Sequence, residues 1–144
     1  MAWYEDLTPC DYFGPELAPS LRAVGWLECG KPFPMGEVDR RVYETLAAFR
    51  AAPWTPPVPV AAGVHHCDLC LYEGDAGNQH LFIPGAGFLY VSPELIAHYM
   101  NVHRYQPPAP FCQAVLACPP MRSMSYLRAV LANGGQPFAR RARP

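Results

Sequence analysis

The chain has 144 residues, of which 51% are hydrophobic and 16% charged, and its formal net charge is −1. This composition excludes a largely disordered chain, and the length suits one domain with a buried core. No apolar run approaches the roughly eighteen residues of a membrane span, and acidic residues follow Met1, so we expect a cytoplasmic protein without a signal peptide. Eighteen prolines, roughly two and a half times the usual share of about 5%, predict short elements joined by stiff loops.

The first half of the sequence predicts few regular elements. Residues 1–20 mix aromatic side chains with proline and glycine, which predicts an irregular arm packed against the rest of the protein. A short strand is expected within Leu21–Glu28, and a helix over Asp39–Ala52, where Asp39 provides the N-terminal cap and a proline follows the last residue. The proline-rich stretch 53–63 is interpreted as a connector, with binding of an aromatic groove as the alternative.

The second half predicts a hairpin and then three helices. Apolar runs at 81–83 and 88–91 flank the turn sequence Pro-Gly-Ala-Gly, which is typical of a hairpin. Ser92-Pro93-Glu94 predicts a helix start, because it offers a capping hydroxyl, a proline for the first helical position and an acid in the first turn. This helix is expected to run to about Arg104. Two shorter helices are predicted after it, at 111–117 and 123–133.

The most specific pattern is two pairs of metal-binding side chains, Cys67-x2-Cys70 and His98-x4-His103. Two thiolates and two imidazoles in short-range pairs are typical ligands of a tetrahedral zinc ion. The sequence therefore predicts a structural zinc site, with His66 beside the first pair as an alternative ligand. Two further histidines lie close enough in sequence to be alternatives as well: His65 and His80.

The histidine spacing makes a geometric demand on the helix. A step of five residues along an ideal helix turns through about 500°, which leaves the two rings about 140° apart. His98 and His103 can share one ion only if the helix departs from regular geometry, and we expect that departure before Pro107.

The cysteines allow other interpretations. A redox Cys-x-x-Cys pair is disfavoured, because thioredoxin-like motifs lead into a helix and the residues at 71–75 interrupt one. Six cysteines without a signal peptide indicate a reducing compartment rather than disulfides. The remaining four are expected to be buried apolar side chains: Cys10, Cys29, Cys112 and Cys118.

A catalytic metal is the other chemical alternative. A hydrolytic zinc keeps an open coordination position and needs a general base, for which Glu73 and Asp75 are the candidates. A metal-dependent nuclease of the His-Asn-His type also contains a treble-clef-like unit, and the pair His65-His66 suggests this alternative. Two cysteines and two histidines would fill the shell, so the ligand set favours a role that is not enzymatic.

Charge is distributed unevenly along the chain. Residues 1–94 carry all twelve acids and five bases, whereas residues 95–144 carry six arginines and no acid. Mutual neutralisation of the two halves is the preferred interpretation. The alternative is nucleic-acid binding by the basic half, for which three arginines are the candidates: Arg104, Arg122 and Arg128.

Two resemblances accompany these patterns. A cysteine turn, a hairpin and a helix in this order resemble treble-clef and related zinc-finger modules over roughly residues 64–105. The second resemblance is carried by five motifs: YEDLTPCDYF at 4–13, AVGWL at 23–27, HCDLC at 66–70, IPG at 83–85 and HY at 98–99. With these motifs the sequence resembles, over nearly the whole chain to about residue 135, an uncharacterised family of small bacterial proteins, which implies a bacterial cytoplasmic setting and assigns no catalytic activity.

Together these patterns predict a single α+β domain over residues 1–135 and a flexible basic tail over 136–144. Zinc is the expected cofactor, and its role is structural. The leading functional hypothesis is a protein-interaction or adaptor module with another protein as its partner and no membrane contact. The alternatives are a nucleic-acid-binding zinc finger and a metal-dependent hydrolase or nuclease.

Overall fold

Apolar runs from distant parts of the sequence meet in a three-stranded sheet. The computed structural model describes residues 2–56, 64–70 and 75–141. Strand β1 (Leu21–Ala23) lies parallel to one edge of β5 (Leu89–Pro93), and β4 (His80–Pro84) pairs antiparallel with its other edge. The side chains of β5 and nearly all of β4 are buried, so both faces of the sheet are covered. The predicted hairpin and α+β fold are confirmed.

The helices cover this sheet, and none in the described residues is long and apolar enough to cross a membrane. The helices are α1 (Arg40–Ala51), α2 (Ile96–His103), α3 (Ala109–Ala117), α4 (Met124–Ala132) and α5 (Gln136–Arg141). Helix α1 begins where the sequence predicts, with the Asp39 carboxylate accepting a hydrogen bond from the Arg41 N–H, and it packs against α2 and α3. The side chain of Ser123 caps α4 in the same way. A small antiparallel pair of strands, β2 (His65–His66) and β3 (Ala76–Gly77), lies beside them.

Buried aromatic side chains whose polar groups donate hydrogen bonds to backbone carbonyls hold the core together. Trp26 is fully buried and its indole N–H donates to the Val91 carbonyl at 2.9 Å, which joins the segment after β1 to β5. Tyr126 is also fully buried and donates to the Phe82 carbonyl at 2.6 Å, which fastens α4 to β4. Cys10, Phe13 and Leu17 are buried against the same core, so the N-terminal arm packs on the body as predicted.

The expected helix start at Ser92 is wrong. Ser92 and Pro93 continue β5 in register with the first residues of β4, and α2 begins only at Ile96. Both residues are buried, and pairing within the sheet outweighs the local helix-start signal. The Glu94 carboxylate accepts from the backbone N–H groups of residues 78 and 79 instead of facing a helix N-terminus.

The expected basic tail does not begin at residue 136. Residues 136–141 form α5, and Phe138 is only 1% exposed. Its ring lies 5.2 Å from that of Phe82 and 6.1 Å from that of Trp54, measured between centroids. One large aromatic side chain in an otherwise basic segment provides apolar burial that fastens it to the core.

The predicted strand is shorter than expected, and the predicted connector can be compared with the structure only at its start. Within Leu21–Glu28, only the residues of β1 pair as a strand. The connector is described as far as residue 56, and residues 57–63 lie outside the described part of the chain.

Candidate metal centre

The structure brings together the two pairs of side chains that the sequence singles out. One ligand atom from each of Cys67, Cys70, His98 and His103 lies within 4.8 Å of the other three. The Cys70 sulfur is 3.3 Å from Nε2 of His98 and 3.4 Å from Nε2 of His103. The Cys67 sulfur is also 3.4 Å from Nε2 of His103. These four residues therefore lie close enough to bind one metal ion.

The spacing of these atoms agrees with a tetrahedral ion. Zinc bonds of about 2.3 Å to sulfur and about 2.0–2.1 Å to nitrogen, at tetrahedral angles, put neighbouring sulfur and nitrogen atoms about 3.5 Å apart. The three measured sulfur–nitrogen distances are 3.3, 3.4 and 3.4 Å. Borderline-soft ligands of this kind are the ones that zinc prefers, so the residues present fit that ion.

Backbone hydrogen bonds position the cysteine turn, residues 67–70, and act on its thiol groups. The Cys67 N–H donates to the Asp75 carbonyl at 3.0 Å, which ties the turn to the start of β3. Burial raises the pKa of the Cys67 thiol, while backbone hydrogen bonds from Leu69 and Cys70 lower it. Such hydrogen bonds stabilise a thiolate, which is the form that binds a metal.

The end of α2 supplies the departure from helical geometry that the histidine spacing demands. His103 is the last residue of the helix, and Arg104 follows in a left-handed conformation with φ of 57°. The N–H groups of Arg104 and Tyr105 both donate to the Tyr99 carbonyl, so the last turn is wider than a regular α-helical turn, whose hydrogen bonds span four residues. The rings of His98 and His103 lie 5.2 Å apart at 76° to each other, so both reach the same sulfur.

An ion-pair network next to the metal ligands joins them to α1. The Arg50 guanidinium donates to the Asp75 carboxylate at 2.6 Å, to Glu94 at 3.2 Å and to the Ala76 carbonyl at 2.8 Å. This arginine holds the pKa of Asp75 below its usual range. Burial lowers the pKa of His98, and the negative charge of Asp75 partly opposes that shift. Sequence reasoning missed the network, because its members are 25 and 44 residues apart.

A family model described as a domain of unknown function (DUF7919) matches residues 2–116. The chain belongs to the DUF7919 family. This confirms the resemblance to an uncharacterised family, and the match includes the N-terminal arm, the sheet and the four clustered residues. Searches among curated proteins and among solved structures found no match. The match ends within α3, so α4 and α5 lie beyond the matched part of this DUF7919 member.

The alternative ligands lie outside the metal cluster. His66 is exposed in β2, and its neighbour His65 has a buried Nε2 without a hydrogen-bond partner among the described residues. His80 is buried in β4, stacked on Trp26. Of the two candidate bases, Asp75 is held by Arg50, and residue 73 lies outside the described part.

The other cysteines and the candidate arginines are spread over the molecule. Cys10 is buried and Cys112 and Cys118 are half-buried, but Cys29 is exposed in the loop after Trp26, so that expectation is wrong for Cys29. The exposure follows from its position in a turn, where Lys31 N–H donates to the Glu28 carbonyl. The three arginines are all exposed and lie at the end of α2, before α4 and within α4, respectively: Arg104, Arg122 and Arg128.

Proposed function

We propose that this DUF7919 domain is a protein-interaction module in which a structural zinc ion supports a peptide-binding groove. The metal is assigned as zinc because the four side chains and their distances suit that ion. Its role is structural because four protein ligands complete a tetrahedral shell and leave no position for a reacting water. The ion would fix the cysteine turn against α2, two elements that share no backbone hydrogen bond among the described residues.

The groove lies between the N-terminal arm, at residues 3–6, and the chain at 31–34, and its lining includes aromatic and proline side chains. It encloses about 520 Å³. Trp3 is partly exposed there, and the Tyr4 ring packs edge-on against Trp26 at 5.2 Å. The residues that line this aromatic groove are Trp3, Tyr4, Glu5, Asp6, Leu27, Lys31, Pro32, Phe33 and Pro34.

The observation that carries the proposal is that one wall of the aromatic groove is fastened to the metal centre at both ends. At its start, the Cys29 N–H donates to the Asp68 carboxylate in the cysteine turn at 3.2 Å. At its end, the chain at 34–36 pairs with the residues after His103: Gln106 N–H donates to Pro34 and Gly36 N–H donates to Arg104, both at 3.0 Å. A metal ion that holds the turn and the end of α2 would therefore hold this wall.

The lining of the aromatic groove fits an extended, proline-containing peptide that carries basic residues. Aromatic grooves bind polyproline segments because such peptides are already extended and lose little entropy on binding. The lining contains two acidic residues, Glu5 and Asp6, and one basic residue, Lys31, so the groove complements a positive charge. Lys31 already places its ammonium 4.9 Å from the centre of the Trp3 ring, and a partner's arginine can take that position.

The test is titration of the metal-loaded protein with synthetic peptides that contain prolines and an arginine. We expect Trp3→Ala to weaken binding at least tenfold, and removal of the metal with a chelator to weaken it as well. Met124→Ala is the control, because Met124 is an exposed apolar residue of α4 that does not line the groove. Equal affinity of the Trp3 variant and the unchanged protein would refute the groove, and equal affinity with and without metal would refute the link to zinc.

A further inference from the structure

A second, smaller cavity lies between the start of α1 and the end of α2. It encloses about 360 Å³, which is within the usual range for small ligands. None of its lining residues belongs to the aromatic groove or to the four metal ligands, although Arg104 directly follows His103. The lining consists of Gly36, Val38, Arg40, Tyr43, Met100, Asn101 and Arg104.

The chemistry of this lining suits an anion. Two arginines, Arg40 and Arg104, and Asn101 are among the lining residues, and none of the lining residues is acidic. Guanidinium groups bind phosphate through paired hydrogen bonds with fixed geometry. Met100, which is only 5% exposed, adds an apolar surface, so a ligand with an apolar body next to its anionic group fits better than an inorganic ion.

The backbone at Arg104 gives an independent reason to assign a role to its side chain. Arg104 has a φ of 57°, a left-handed conformation that glycine and asparagine adopt most readily after a helix. The fold holds it there, because its N–H donates to Tyr99 and its carbonyl accepts from Gly36 at 3.0 Å. An arginine at a position that favours glycine indicates that its side chain is kept for a purpose other than the helix ending.

Arg40 is shared with a neighbouring acid. Its Nε donates to Glu44 at 2.8 Å across one helical turn, in a pair whose side chains are 89% and 58% exposed. Such an exposed pair is weak, so an anion in the cavity can compete for the guanidinium. Among the described residues no carboxylate forms an ion pair with Arg104, which leaves it as the main ligand-binding cation.

We infer that this cavity binds the phosphate group of a small phosphate ester through Arg104 and Arg40. The phosphate lies between the two guanidinium groups, Asn101 donates through its amide, and the ester's apolar body packs on Met100. This site does not depend on peptide binding in the aromatic groove.

The experiment titrates the metal-loaded protein, freed of excess metal, with phenyl phosphate and with inorganic phosphate. We expect phenyl phosphate to bind more tightly, and Arg104→Gly to weaken its binding at least tenfold. Since glycine suits the left-handed position, this variant should keep its metal content and a melting temperature no lower than that of the unchanged protein. Glu44→Gln should tighten binding about twofold to threefold, because it releases Arg40.

Arg122→Gly is the matched control, an exposed arginine that does not line this cavity. Unchanged phenyl phosphate affinity in Arg104→Gly, or an equal loss in both arginine variants, would overturn the assignment. A single-stranded oligonucleotide is titrated in parallel. If it binds far more tightly than phenyl phosphate and loses affinity equally in Arg104→Gly, Arg122→Gly and Arg128→Gly, the arginines bind the phosphates of a nucleic acid and the small-ligand site is refuted.

Discussion

His80 is a buried histidine that the metal cluster does not use. Its ring stacks on Trp26 at 5.2 Å with only 17° between the planes and meets the edge of Phe13 at 5.1 Å. Burial, and the nearby charge of His65, lower the pKa of His80 to about 4 from its ordinary 6.5. At neutral pH it therefore remains an uncharged aromatic member of the core.

This lowered pKa makes the stability of the protein depend on pH. The unfolded chain binds a proton at His80 below about pH 6.5, while the folded chain resists it until about pH 4. The contribution is fully present above pH 6.5 and is lost as the pH falls towards 4, with a total on the order of 3 kcal/mol. Denaturant unfolding of the metal-loaded protein and of His80→Phe, at several pH values, measures it. The variant should lose less stability over this range; parallel curves would contradict the assignment.

Cys70 is the cysteine whose sulfur contacts both histidines. We expect Cys70→Ser to abolish stoichiometric zinc binding and to destabilise the protein by several kcal/mol, because structural zinc sites contribute directly to folding. Elemental analysis and thermal unfolding measure the two effects. The exposed Cys29 offers the control, and Cys29→Ser should retain both the metal and the melting temperature. A Cys70→Ser protein with full thermal stability would show that the cluster does not support the fold.

At the residue scale, sequence reasoning works where partners are close in the chain. The pairs Cys67-x2-Cys70 and His98-x4-His103 can be recognised because each pair is held by a few residues of backbone. The conformation of Arg104 and the surroundings of His80 depend on contacts with distant segments, which spacing does not encode. Cys29 differs from these, because its exposure follows from a local turn between Glu28 and Lys31 that contains Gly30.

At the scale of elements, the boundary between β5 and α2 shows how one signal can support two structures. Ser92-Pro93-Glu94 has every local feature of a helix start, yet the first two residues lie in the sheet. Pro93 is tolerated because it is the last residue of β5, and Ser92 is buried beside the core. The starts of α1 and α4 were predictable because the capping side chains of Asp39 and Ser123 accept hydrogen bonds from backbone N–H groups two and three residues further on.

The Arg50 network gives a prediction at this scale. The Arg50 side chain is 26% exposed and binds Asp75, Glu94 and a backbone carbonyl. It therefore joins α1 to β3 and to the turn between β5 and α2. We expect Arg50→Ala to lower the free energy of unfolding by about 1–3 kcal/mol, because it leaves partly buried charges without partners. Arg40→Ala removes an exposed pair on the same helix and should cost less than about 0.5 kcal/mol. Equal losses in denaturant unfolding of the two variants would argue against the network.

At the scale of the whole molecule, irregular segments matter as much as helices and strands. The chain at 29–36 forms no helix or extended strand, yet it contacts the cysteine turn and the residues after α2, and its residues 31–34 line the aromatic groove. Pro32 and Pro34 disfavour a helix here, but the sequence does not indicate which distant segment this stretch pairs with. The fold class, the hairpin and the clustering of the four metal-binding side chains were therefore predictable, whereas the β2–β3 pair, α5 and the lining of the aromatic groove were not.

The central claim is that Cys67, Cys70, His98 and His103 bind one structural zinc ion. X-ray absorption spectroscopy at the zinc edge of the purified protein tests it most directly, because it reports the number, kind and distance of the ligands. We expect two sulfur ligands at about 2.3 Å and two nitrogen ligands at about 2.0–2.1 Å, with no water in the shell. A shell that contains fewer than two sulfur atoms, or one with an exchangeable oxygen ligand, would contradict the account.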